Sequence, residues 1–148
     1  MKNYYVNFVK QKTIEIECEE RSIEDLAPEC IAGHTVFSMI SAGSEINASY
    51  LDVFDWGYPR KSGYTVIFRV EYVGSEVKGI SVGDYVFCME GHQSFQIVDY
   101  REAVKIPEGV LTYDGKDYQM LPGDVSLCNI GHSHGFLATE DSLLIVVG

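Results

Sequence analysis

The feature that most constrains this chain is the way turns bearing glycine or proline punctuate short β-prone runs. Val73-Gly74-Ser75, Val82-Gly83-Asp84, Pro107-Glu108-Gly109, Asp114-Gly115-Lys116 and Leu121-Pro122-Gly123-Asp124 leave little room for long helices. Between and around them lie runs rich in Val, Ile, Phe and Tyr, which suit a pleated, half-buried surface: residues 34–40, 64–72, 85–89, 94–98, 111–113 and 143–147. Residues 12–18 alternate polar and apolar, with Ile14 and Ile16 on one face and Thr13 and Glu15 on the other. Asp114-Gly115, set between Leu111-Thr112-Tyr113 and Asp117-Tyr118-Gln119, is the signature of a two-residue hairpin. Helix signals are confined to Ser22, a candidate N-cap for a turn through Leu26, and to a turn within residues 44–52. The expectation is an all-β chain with minor helix, arranged as a barrel or sandwich.

A length of 148 residues suits one domain, 1–148, with a core that needs no disulfide staples. Against 22 acidic side chains stand 11 basic ones, a formal net charge of -11. That balance repels phosphate backbones and anionic lipid, which argues against nucleic acid and membrane surfaces as partners. The longest apolar runs, such as Leu143 to Val147, fall far short of the ~20 residues that span a bilayer. Met1-Lys2-Asn3-Tyr4-Tyr5 lacks the apolar stretch of a signal peptide, and the expected location is the cytoplasm. Cys18, Cys30, Cys88 and Cys128 are widely spaced with no C-x-x-C pair; in a reducing compartment they read as free thiols, several of them buried.

Five elements in order carry a family resemblance. They are Ser41-Ala42-Gly43-Ser44-Glu45, Tyr58-Pro59-Arg60-Lys61-Ser62-Gly63-Tyr64, the stretch from Val70 through Gly74 and Gly79 to Gly83-Asp84-Tyr85-Val86, His92-Gln93-Ser94-Phe95, and Val104-Lys105-Ile106-Pro107-Glu108-Gly109. Together they resemble the GroES-like substrate domain of the medium-chain dehydrogenases/reductases, the zinc-type alcohol dehydrogenase superfamily, over residues 12–109. The resemblance implies a GroES-like, partly open β-barrel and a substrate domain of the zinc-independent alcohol dehydrogenase or quinone reductase type. The zinc ligands of that family are not carried over: Ala42, Tyr64 and Thr65 stand in their places, and methyl, phenol and hydroxyl groups are poor zinc ligands. A catalytic zinc is therefore not expected. Nor does the sequence contain G-x-G-x-x-G, the loop that holds a dinucleotide at a helix N-terminus. No cofactor is expected in this chain alone, and NAD(P) enters only if a Rossmann domain is supplied. In a cleft of such a domain, Ser44, Glu45 and Trp56 are the candidate substrate-binding residues for a small-molecule ligand. Tyr64 and His92 are the candidate proton donors.

Residues 109–147 also resemble the second half of a cupin barrel, through Gly123-Asp124 and His134 eleven residues after Gly123. That alternative is a metal- or sugar-binding module with His132 and His134 as candidate ligands. Glu102 has the spacing of the first cupin motif, but Phe95, Gln96, Ile97 and Val98 stand where its paired histidines would be. The other reading of His132 and His134 is a strand corner set by Gly131 and Gly135. A third alternative is a structural module that forms homo-oligomers through its exposed strand edges.

Overall fold

In a computed structural model the described residues are 1–106, 109–121 and 134–138, with residues 109–113 and 134–138 described through their backbone. They form strands with minor helix, arranged in sheets that remain open, as the sequence leads one to expect. β1 (Lys2–Lys10) and β2 (Thr13–Glu20) make an antiparallel hairpin, and β4 (Arg60–Lys61) pairs with the other side of β1. β3 (Cys30–Ser38), β5 (Val66–Val73), β6 (Tyr85–Cys88), β7 (Phe95–Asp99) and β8 (Ala103–Ile106) make a five-stranded antiparallel sheet in the order β7-β3-β5-β6-β8. β9 (Gly109–Tyr113), β10 (Lys116–Met120) and β11 (His134–Ala138) form a third sheet with β9 in the middle. Between β3 and β4 an α turn, Ala42–Ser44, runs on into a π-helical stretch, Glu45–Tyr50.

The five-stranded sheet carries the main core. Ile31, Val66, Phe68, Val70, Ile80, Val86, Cys88 and Val98 are buried together, with Val73, Val77, Tyr100 and Ala103 packed around them. β5 supplies Val66, Phe68 and Val70 at the period of two that puts alternate residues on one face. The hairpin expected at Asp114-Gly115 is present: Tyr113 pairs with Lys116, and both loop residues have the left-handed φ (48° and 75°) that a two-residue turn of this hand requires.

β1 is absent from the sequence-based expectation, and its burial pattern explains why. Its inward positions include Asn3 and Asn7 beside Phe8, so buried polar residues interrupt the apolar signal. Asn3 is fully enclosed and fully bonded. Its Nδ2 donates to Glu19 Oε1 and Gln93 Oε1, both at 3.1 Å, and its Oδ1 accepts from the Phe95 amide at 3.0 Å and Ser94 Oγ at 3.3 Å. Gln96, also fully enclosed, donates to Thr35 Oγ1 at 2.9 Å and accepts from Gln93 Nε2 at 2.7 Å. These amides fasten the first hairpin to the sheet through β7 and β3.

β2 has the alternation read from the sequence. Its apolar face turns outward, with Ile14 51% and Ile16 75% exposed. The other face carries Glu17 and Glu19, which are half-buried and bonded to their neighbours on β1: Tyr5 and Asn7 donate to Glu17, and Asn3 to Glu19. Register here follows the polar network rather than the isoleucines. The Tyr5 and Asn7 hydrogen bonds hold the Glu17 carboxyl below its ordinary range, and the bond to Glu17 raises the Tyr5 phenol. Arg21, with help from Asn3 and Lys61, brings Glu19 down to about 2. Asp99, which accepts from the Arg101 side chain and amide, also lies at about 2. Of the described cysteines, Cys88 is buried, Cys30 half-buried and Cys18 exposed; Cys128 lies outside the described residues. Burial pushes the Cys88 thiol up to about 12 and raises Cys30 as well.

Two outcomes follow. Asn3→Ala orphans the buried Phe95 amide and is expected to cost ~1–3 kcal/mol in urea unfolding, while Ile16→Thr on the outward face stays within ~0.5 kcal/mol. Glu19 and Asp99 bind protons more readily in the unfolded chain than in the fold, so their contribution is present in full above the ordinary carboxylate range of about pH 4. It drains away as pH falls toward about 2, and the urea midpoint is expected to drop across that window, less so in Asp99→Asn.

Candidate functional site

Three backbone segments meet where β1 passes between β4 and the approach to β7. The Ser62 amide donates to the Val6 carbonyl at 3.1 Å, the Val6 amide to the His92 carbonyl at 3.0 Å, and the His92 amide to the Ser62 carbonyl at 2.8 Å. The approach is close enough to require glycine. Gly63 has φ +93°, and a Cβ there would lie 2.5 Å from the His92 nitrogen and 2.8 Å from its ring. This junction puts the His92 ring against the segment that follows β4.

His92 and Glu45 face each other there. His92 Nε2 lies 3.3 Å from Glu45 Oε1, and the two side chains are only 9% and 12% exposed. The pair is within ionic reach but out of line for a hydrogen bond, and both ring nitrogens of His92 are buried without a hydrogen-bond partner. The other oxygen of Glu45 accepts from the Ser62 hydroxyl. Ser62 thus bonds to the carboxylate and not to the imidazole, which is not the arrangement of a serine nucleophile activated by histidine. The group is instead a carboxylate and an imidazole held together away from bulk water, which suits proton transfer.

Two clefts open on this pair. The larger, of about 640 Å³, is bounded by the helical stretch with Gly43, Ser44 and Glu45, by Phe54 and Trp56, and by residues 60–64. The smaller, of about 260 Å³, is bounded by Tyr5, by residues 61–64 and by residues 89–93, which include His92. Residues 61–64 form the partition, with Glu45 on one side and His92 on the other. Of the residues singled out in the sequence, Ser44, Glu45, Trp56 and Tyr64 share the larger cleft, and Tyr64 and His92 share the smaller. His132 lies outside the described residues, and His134 opens β11, its backbone alone being described.

Two site residues escaped the sequence reading. Ser62 was one hydroxyl among many. Arg60 stands between aromatic residues in an acidic chain, and that is its signal in the sequence. Its guanidinium carbon lies 5.4 Å from the Trp56 ring centroid and 5.3 Å from that of Tyr58. Tyr58 in turn is anchored by its hydroxyl, which donates to the Ser49 carbonyl at 2.9 Å. Phe54 and Trp56, here exposed rather than buried in a core, stack at 5.2 Å with their planes 28° apart.

A zinc ion does not fit this donor set. Among the described residues no three His, Cys, Asp or Glu side chains gather as ligands, and Glu45 with His92 supplies two where zinc takes three or four. No described helix is long and apolar enough to cross a membrane.

An open β fold with a short helical insertion beside its cleft defines a class of domain, and comparison with solved structures identifies it as the GroES-like fold. A mutant form of enoyl thioester reductase from Candida tropicalis matches with a TM-score of 0.59 and 18% identity, over 72% of this chain and 34% of that one. A putative NADPH:quinone reductase from Bacillus thuringiensis matches with a TM-score of 0.57 and 20% identity, over 72% and 34%. The 2R,3R-butanediol dehydrogenase from Bacillus subtilis gives 0.58 and 19%, over 71% and 40%. The chain therefore spans between a third and two fifths of the length of these enzymes. No protein-family model and no curated protein matches the sequence.

The junction at Gly63 gives a test of the site's architecture. Gly63→Ala must give up the positive φ or displace His92, and is expected to cost ~1–3 kcal/mol in urea unfolding and to shift the His92 ring resonances in NMR spectra.

Proposed function

We propose that this chain is the substrate-holding part of an oxidoreductase of the zinc-independent alcohol dehydrogenase or quinone reductase type, working with a nicotinamide-binding unit supplied outside these 148 residues. The observation that carries the reading is the buried Glu45–His92 pair, 3.3 Å apart on the partition between two clefts. The likeness in fold to longer reductases and a dehydrogenase, of which this chain covers between a third and two fifths, supports it. Hydride chemistry on a carbonyl compound needs a second partner that gives or takes a proton at the neighbouring atom. Glu45 and His92 meet that need: one holds the proton while the other turns toward the ligand, and Ser62 fixes the carboxylate. The sequence carries no loop for a dinucleotide, so the role proposed for these residues is confined to holding a small molecule and exchanging a proton with it.

A cofactor-free assay isolates that role. In D₂O the α-hydrogens of cyclohexanone exchange slowly, and a base beside the carbonyl speeds the loss of their NMR signal: the proton passes to the base and a deuteron returns from solvent. The chain is expected to accelerate this exchange, with Glu45→Gln and His92→Asn each lowering the acceleration roughly 100-fold. Equal exchange with and without Glu45 would overturn the reading.

A second reading, assembly of two copies, is favoured by the outward Ile14 and Ile16 on β2, which pairs with β1 on one side only among the described residues. One of the matched structures is a heterodimer of Etr1p and Etr2p from Candida tropicalis. Light scattering is expected to show a dimer that Ile16→Lys dissociates; a monomer at all concentrations removes this reading.

A further inference from the structure

Arg60 stands out among the charged residues of the larger cleft. All three of its guanidinium nitrogens are buried without a hydrogen-bond partner. Its nearest counter-charge is Asp52, whose Oδ1 lies 3.2 Å from Nη1. Asp52 is itself fixed by backbone, since Oδ1 accepts from the Trp56 amide at 2.9 Å and Oδ2 from the Gly57 amide at 3.2 Å. The neighbouring Lys61 is likewise engaged, with its Nζ 3.3 Å from Glu19 and 3.9 Å from the Tyr5 ring centroid. Aromatic faces and the Asp52 charge thus hold the Arg60 guanidinium, while none of its nitrogens makes a hydrogen bond. A buried donor left unpaired is costly, and an oxyanion placed across the fork removes that cost.

The surroundings narrow the ligand further. The stacked Phe54 and Trp56 border the same cleft and offer a flat apolar face. Trp56 is 69% exposed, so it can move off Arg60 without opening the core. A carboxylate is planar and matches the guanidinium fork with two parallel bonds. A phosphate would bring more negative charge into a cleft lined by Glu45, with Asp52 behind Arg60, in a chain of net charge -11. A neutral carbonyl compound offers the guanidinium fork a single acceptor and leaves the other buried donors without a hydrogen bond. We propose that the cleft binds a planar aromatic carboxylate, its carboxylate on the Arg60 fork and its ring against the Phe54–Trp56 pair. This inference rests on the reading of the cleft as a small-molecule site and names the class of that molecule.

Trp56 is the sole tryptophan in the sequence, so its fluorescence reports on this site alone. The full chain is titrated with benzoate, with the neutral isostere benzamide and with inorganic phosphate, following Trp56 emission and saturation-transfer NMR. Benzoate is expected to bind ~10-fold or more tightly than benzamide, and Arg60→Met to bring benzoate to the level of benzamide without changing benzamide itself. Arg60→Lys keeps the charge and loses the planar fork, so benzoate should weaken in it several-fold; circular dichroism checks that each variant is folded. Equal binding of benzoate and benzamide overturns the carboxylate and leaves the cleft as a ligand site. Binding of neither overturns both. Displacement of benzoate by an equal concentration of phosphate overturns the aromatic part of the assignment.

Discussion

A small set of buried amides holds this fold together. Asn3, Gln93 and Gln96 pass hydrogen bonds from β1 across to β7 and β3, and the side chains of Asn3 and Gln96 are wholly enclosed. Burying an amide is favourable only when its donors and acceptors are met, so the network admits one register and penalises slippage. Hydrophobic packing in the five-stranded sheet supplies the bulk of the stability, but it does not say where the first hairpin must dock. The amides do. By tying β1 to Gln93 and Phe95, they also set the position of His92, one residue before Gln93 in the chain.

The site is thus a by-product of strand crossing. Ser62, Val6 and His92 exchange backbone hydrogen bonds at one junction, Gly63 lets the chains approach, and the helical stretch brings Glu45 over the top. The carboxylate and the imidazole are positioned by backbone that is rigid for structural reasons, and rigid backbone supports the geometry that proton transfer needs. Arg60 lines the larger of the two clefts, between the Trp56 and Tyr58 rings and within ionic reach of Asp52.

Much of this was legible in the sequence. The turn clusters and β-branched runs located β3, β5, β6 and β7, and Asp114-Gly115 announced its hairpin through local conformational preference alone. Ser44, Glu45, Trp56, Tyr64 and His92 were marked through family resemblance, and the structure gathers them around two adjoining clefts. What escaped was non-local. β1 reads poorly because Asn3 and Asn7 occupy inward positions, and their partners lie on β2 and up to 92 residues away. The outward turn of Ile14 and Ile16 follows from Glu17 and Glu19 bonding to β1, which alternation on β2 alone does not reveal. Arg60 and Ser62 become conspicuous only when their neighbours in space are known.

The described cysteines differ sharply in environment, and the difference has a practical side. Thiolate is the reactive form of cysteine, and burial disfavours it at Cys88 and Cys30. Cys18 lies on the outward face of β2, in the same row as Ile14 and Ile16. A maleimide dye or spin label offered briefly at neutral pH therefore selects Cys18 over the other two, and places a probe on the hairpin that the amide network anchors.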